Sequence, residues 1–220
     1  MSPSNERTTY KMRYLLGRRL VREERYEEAQ KFLPTSLGLP VRTLARSLAA
    51  GRDAQRPVEE RARALFRAAC ITRHQGLELL GTELEPDWFI YGGSYENESF
   101  AKARTSSAFQ HLGPTPDERQ RARHRTAVPM KRFHYRYRGA DLAREAAALL
   151  PDGSPEKAAL LVTAGNWLEG RDPEAAQPFY EALLSCCGNT ALGRRAQRAK
   201  AIPNVPDTCP ADTRPQAGEG

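Results

Sequence analysis

The chain is predicted to be all-α, with antiparallel helical hairpins stacked as a short, irregular solenoid. Apolar residues recur at helical spacing over residues 11–80 and again over 133–200. Two segments present the same Ala-x3-Phe-x2-Ala face, Ala62, Phe66 and Ala69 in one and Ala175, Phe179 and Ala182 in the other. Residues three and four apart share a helix face, so each set forms a seam in which the alanines admit a close neighbour and the ring fills the gap. Each copy also follows a Gly-x-Asp break and a proline: Gly51-Arg52-Asp53 before Pro57, and Gly170-Arg171-Asp172 before Pro173. Hairpins of this kind cannot bury their apolar faces alone, so they stack.

In chain order, residues 1–9 are polar and are expected to be disordered. The helical hairpin repeats occupy 10–80. Lys11 to Glu24 reads as a helix with an apolar stripe of Tyr14, Leu15, Leu16, Leu20 and Val21. Tyr26 to Leu33 reads as its partner, ending at Pro34, because the residue before a proline is pushed out of helical geometry. Pro40 to Ala50 opens the second pair, and Pro57-Val58-Glu59-Glu60 starts a helix whose apolar pattern continues through Ile71 to Leu80, either as one long helix or with a second short one following it.

Residues 81–114 form an irregular insertion. Trp88, Phe89, Tyr91, Tyr95 and Phe100 crowd together there with Glu83, Glu85, Asp87, Glu96 and Glu98. The aromatics either plug a groove between helix pairs or form a recognition loop on a rigid scaffold. Residues 115–201 return to helical repeats with a basic stretch. Arg119 to Arg138 contains eight Arg or Lys residues, with Arg121, Arg125, Arg132 and Arg136 among them and no acidic residue. Pro151 to Pro155 is a turn and a new helix start. In the hairpin from Ala158 to Leu184, Asp172 is the N-cap and Pro173 the first helical residue. Thr190 to Ala201 reads as a capping helix with an Arg-rich outer face. From 202 to 220 the chain is Pro-rich and poor in apolar residues, and is expected to be a disordered tail.

Leu16-Gly17, Leu20, Tyr26, Ala29 and Leu33, together with the two Ala/Phe/Ala faces, resemble the pattern of tetratricopeptide repeats. The resemblance covers residues 11–80 and 130–200. It implies a stacked-hairpin fold and a protein-protein adaptor role. Thr163 departs from it, standing where a small Gly or Ala is expected, and the middle of the chain carries no repeat. The wording of Trp167 to Leu184 also resembles that of uncharacterised bacterial proteins.

The chain has 220 residues, a formal net charge of +7 and 40% hydrophobic residues. No apolar run approaches the roughly 18 residues expected of a membrane-spanning helix, and the start has no sustained apolar segment. A cytoplasmic address is expected, without a membrane partner. Cys70, Cys186, Cys187 and Cys209 have no Cys-x2-Cys spacing and read as structural, with Cys70 a small buried hydrophobe. His74, His111, His124 and His134 are scattered; His124 and His134 read as residues of solvated faces, with binding of phosphate or a partner carboxylate when protonated as the alternative. No phosphate-binding loop, His-Glu-x2-His or Gly-x-Ser-x-Gly is present. The expectation is therefore a non-enzymatic scaffold without metal, cofactor or small-molecule ligand. Its protein partner would be met by Trp88, Tyr91 and Tyr95 and by Arg121, Arg125, Arg132 and Arg136. The alternative is a nucleic-acid-binding module that sets the charges of 119–138 on phosphates and its rings on bases.

Overall fold

A computed structural model describes residues 3–81, 115–117, 120 and 134–215, with side chains from residue 9 onward. The chain is all-helical, and among the described residues there is no strand. Among the described residues the α-helices with both ends placed are α1 (Pro3–Arg22), α2 (Tyr26–Ala29), α3 (Gly38–Arg52), α4 (Val58–Leu80), α5 (Tyr135–Ala148), α6 (Pro155–Glu169), α7 (Pro173–Cys187) and α8 (Ala191–Ala199). Short 3-10 turns occupy Thr35–Leu37 and Ala211–Thr213. Among the described residues the most extensive contacts are α3 to α4, α4 to α5, α5 to α6 and α6 to α7, with α8 closing on α7 and α6.

The seams follow from the sequence pattern. Ala62, Phe66 and Ala69 are all buried on α4, as is Phe179 on α7, with Ala175 and Ala182 packed against the core at its edge. Burying a side chain of Phe or Leu size stabilises by about 1.5–3 kcal/mol, so Phe66 and Phe179 each contribute on that scale. Small residues then set the spacing. A Cβ at Gly76 of α4 would run into the Cβ of Tyr135, which is why α5 can lie so close to α4. The caps are local: Ser154, Asp172 and Thr190 accept from the backbone N–H groups of Lys157, Ala175 and Gly193, each satisfying a donor that the first turn leaves open.

Helix ends are also closed from a distance. At the end of α4, Tyr14 Oη donates to Glu78 O at 2.8 Å and Arg22 Nε to Leu80 O at 2.8 Å, while Arg22 Nη2 donates to Gly81 O. The last carbonyls of a helix have no partner within it, so α1 is held to α4 by supplying them. The buried Lys157 does the same beyond α5, donating to Leu150 O at 3.2 Å and to Asp152 at 2.6 Å.

Several expected boundaries move. The expected loose start at 1–9 is helical from Pro3, a residue whose fixed φ suits the first helical position. The second helix of the first hairpin stops at Ala29 rather than Leu33, because Ala29 O takes both Phe32 N and Leu33 N in tightening turns ahead of Pro34. The next helix starts at Gly38 and not Pro40, since a proline in the first turn forfeits no helical bond. It also continues through Gly51 and Arg52, until Asp53 turns extended at φ −73° and ψ 102°.

The largest correction concerns the tail. Residues 202–215 are described and lie against the helices, so the expected disorder from 202 does not hold there. Ile202 packs where a Cβ on Gly165 of α6 would sit, 2.5 Å from its Cδ1. Asn166 Nδ2 donates to Pro203 O at 3.1 Å, Thr163 Oγ1 meets Thr208 Oγ1 at 3.0 Å, and Gln75 Nε2 donates to the buried Thr213 O at 2.9 Å. Cys70 of α4 is joined to Cys209 by a disulfide, with Cα atoms 5.6 Å apart. Cys70 is buried, as expected, but is a cross-link and not a free hydrophobe. Thr163, the departure from the repeat pattern, is thereby explained: it is fully enclosed and bonds the tail.

Candidate functional site

Six of the seven residues singled out from the sequence, Trp88, Tyr91, Tyr95, Arg121, Arg125 and Arg132, lie outside the described residues, as do the acidic segment 83–98 and most of the basic stretch. Arg136 is described. It stands half-buried in the first turn of α5, its guanidinium 5.5 Å from the centre of the Tyr135 ring. Arg138, from the same basic stretch, reaches Glu24 Oε1 at 3.1 Å, and Arg52 Nη2 reaches the same oxygen at 3.0 Å. Glu24 sits at φ 58° in the turn after α1, a conformation that costs a non-glycine residue energy. The hydrogen bond from Arg52 holds its carboxyl below the usual range. Part of the basic stretch is therefore matched inside the molecule.

The structure brings together a second set of chemistry-bearing side chains that the sequence reading dispersed. His74 of α4 and Asp207 of the tail meet at 2.9 Å between Nε2 and Oδ2. Trp167 Nε1 of α6 donates to the same oxygen at 3.2 Å, and Cys209 N donates to Asp207 Oδ1 at 2.8 Å. Burial pushes the Asp207 carboxyl up, but the bonds from His74, Cys209 N–H and Trp167 outweigh it and hold its pKa down to about 2. The carboxylate is ionised at neutral pH, so His74 Nε2–H is the donor. The ligand-type atoms of His74, Asp207 and Cys209 all lie within 4.8 Å of one another.

Helix periodicity builds half of this cluster. Cys70 and His74 are four residues apart on α4 and point to one side; Asp207 and Cys209 approach from the tail. The tail covers His74, whose side chain is 19% exposed. The signal available in the sequence was Cys70-x3-His74 on a helix face with Asp207-x-Cys209 downstream, which a search for Cys-x2-Cys passes over.

Elsewhere, a recess of about 20 Å³ among Val21, Tyr26, Leu44, Thr72, Arg138 and Leu142 has room for about one water. Arg194, Arg195 and Arg198 are exposed along α8. Among the described residues no helix is long and apolar enough to cross a membrane. No family model matches the chain, and neither the curated proteins nor the solved structures provide a match.

Proposed function

We propose that this chain is a non-catalytic, tetratricopeptide-like helical scaffold that binds a protein partner in the cytoplasm. The observation that carries it is the bed formed by α4 and α6, which holds a tail segment without α-helix or strand, residues 202–213, through Asn166, Thr163 and, at its closing 3-10 turn, Gln75. A surface that grips its own chain by backbone carbonyls and small-residue pockets has the chemistry a repeat scaffold uses on a peptide. The neighbour-to-neighbour packing of α3 through α7 supports the same reading. Trp88, Tyr91 and Tyr95 then serve as anchors, being residue types enriched where partners bury most deeply. Arg121, Arg125, Arg132 and Arg136 supply charge complementary to an acidic partner.

Affinity purification of the intact protein from its own cells, with and without nuclease, tests this. A stoichiometric protein that survives nuclease and is lost from Trp88→Ala/Tyr91→Ala is the expected result. Recovery of no such protein would sink the scaffold.

The nucleic-acid alternative keeps one observation in its favour, the exposed Arg194, Arg195 and Arg198 on α8 of a chain with net charge +7. It requires binding that falls steeply with salt and weakens on charge reversal at Arg121 and Arg125.

A further inference from the structure

We propose that Cys70, His74, Asp207 and Cys209 form a zinc(II) site when the Cys70–Cys209 disulfide is reduced. Two thiolates, an imidazole and a carboxylate are a donor set that zinc accepts in tetrahedral geometry. With metal-ligand distances near 2.0–2.3 Å, neighbouring donors in such a site stand about 3.3–3.8 Å apart. His74 Nε2 and Asp207 Oδ2 are at 2.9 Å now, so exchanging the shared proton for a metal requires only a few tenths of an ångström. The donors of His74, Asp207 and Cys209 already fall within 4.8 Å of one another. The sulfurs have to part, and they are free to do so because Cys209 lies in irregular backbone while Cys70 stays fixed on α4.

The surroundings suit a metal. Asp207 Oδ1 is held by Cys209 N–H, which orients the carboxylate. Cys70 and Cys209 are buried, and the Trp167 ring closes one side by its bond to Asp207. The site also joins elements far apart in sequence, as the disulfide does across 139 residues. Disulfide and metal are therefore alternative clasps for one tail, chosen by redox state. The conversion balances with a dithiol as reductant. It gives two electrons and two protons to the Cys70–Cys209 bond, becoming a disulfide itself. Zinc then displaces the two thiol protons to solvent, and the Nε2 proton of His74 moves to Nδ1, which leaves a neutral imidazole ligand.

The test uses the full chain, reduced with a dithiol and freed of it without oxygen, then titrated with zinc alone and with cobalt(II) as a spectroscopic stand-in. The expected result is one metal per chain in the reduced protein and none in the oxidised one, with cobalt giving tetrahedral d–d bands and a thiolate charge-transfer band. His74→Ala keeps both cysteines and the disulfide, and should weaken zinc binding by more than about tenfold. Cys186→Ser/Cys187→Ser should leave binding unchanged. If reduction without metal lowers the helical circular-dichroism signal, zinc should restore it in the natural sequence and not in His74→Ala. No uptake by the reduced chain, uptake unaffected by His74→Ala, uptake lost with Cys186 and Cys187, or a cobalt spectrum without the thiolate band would each overturn the site.

Discussion

Phe66 of α4 and Trp167 of α6 lie parallel, their ring planes 4° apart and their centres separated by 6.5 Å. This stack joins the first Ala/Phe/Ala helix to the helix that opens the last hairpin, and its Trp167 also bonds Asp207 of the tail. Phe66→Ala should cost about 3–5 kcal/mol in urea unfolding, and Phe179→Ala a similar amount. Trp167→Phe retains a ring in the stack but loses the donor to Asp207, so it should cost less, on the order of 1 kcal/mol. Unchanged midpoints for both alanine variants would refute the stacked seams.

Gly76→Ala tests the contact between α4 and α5. Alanine is worth up to about 1 kcal/mol more than glycine inside a helix, so an exposed site would gain stability. Here the new methyl meets Tyr135 Cβ, which is attached to the backbone and cannot swing aside. Overpacking of this kind costs about 1–3 kcal/mol, and the net effect should be a lower denaturation midpoint. A higher midpoint would mean that α5 does not rest on this face of α4.

The hairpins were legible in the sequence because their determinants are local. Asp172 before Pro173 marks a cap, and Ala62, Phe66 and Ala69 share a face whatever lies opposite. The tail was not legible. Its Pro-rich composition matches that of a disordered segment, and what orders it is supplied by Cys70, His74, Gln75 and Trp167, which stand between 40 and 139 residues away. A pairing at that distance leaves no periodicity to read. The end of α4 at Leu80 was legible from its apolar run, although Tyr14 and Arg22, which close it from another helix, lie in no window of sequence around it. Of the candidate site, Arg136 alone is described, and His74 and Asp207 became conspicuous only once the tail had been placed.

Glu24 should make stability depend on acid. Its carboxyl is held below its ordinary value of 4.5, first by the Arg52 hydrogen bond and then by the charges of Arg52 and Arg138, against the opposing effect of burial. A depressed carboxylate contributes stability that is fully present above the unfolded value and is lost as pH falls through the folded one. The contribution should therefore persist at neutral pH and fade below about pH 4.5. The group is a third exposed and solvent screens it, so roughly 0.5–1 kcal/mol is at stake. Glu24→Gln should cost that amount at neutral pH and almost nothing under strong acid, as read from urea midpoints at the two conditions. An equal cost at both would assign the effect to the turn backbone and not to the ion pairs.

Reducing the Cys70–Cys209 bond in the presence of a chelator should release the tail before anything else. The cross-link spans 139 residues, and removing one that closes a long loop typically costs about 2–5 kcal/mol. The remaining tail contacts are hydrogen bonds worth about 0.5–1.5 kcal/mol net each and the packing of Ile202 against Gly165, while the exposed Arg67–Asp212 pair adds little. Hydrogen exchange should therefore show residues 202–213 losing protection while α4 through α7 keep theirs, with a lower melting temperature for the whole chain. Cys186→Ser should change neither, because that residue is a free thiol at the edge of α7. If the tail stays protected after reduction and chelation, Ile202 against Gly165 and Thr213 against Gln75 suffice to hold it, and the disulfide acts on the unfolded chain alone.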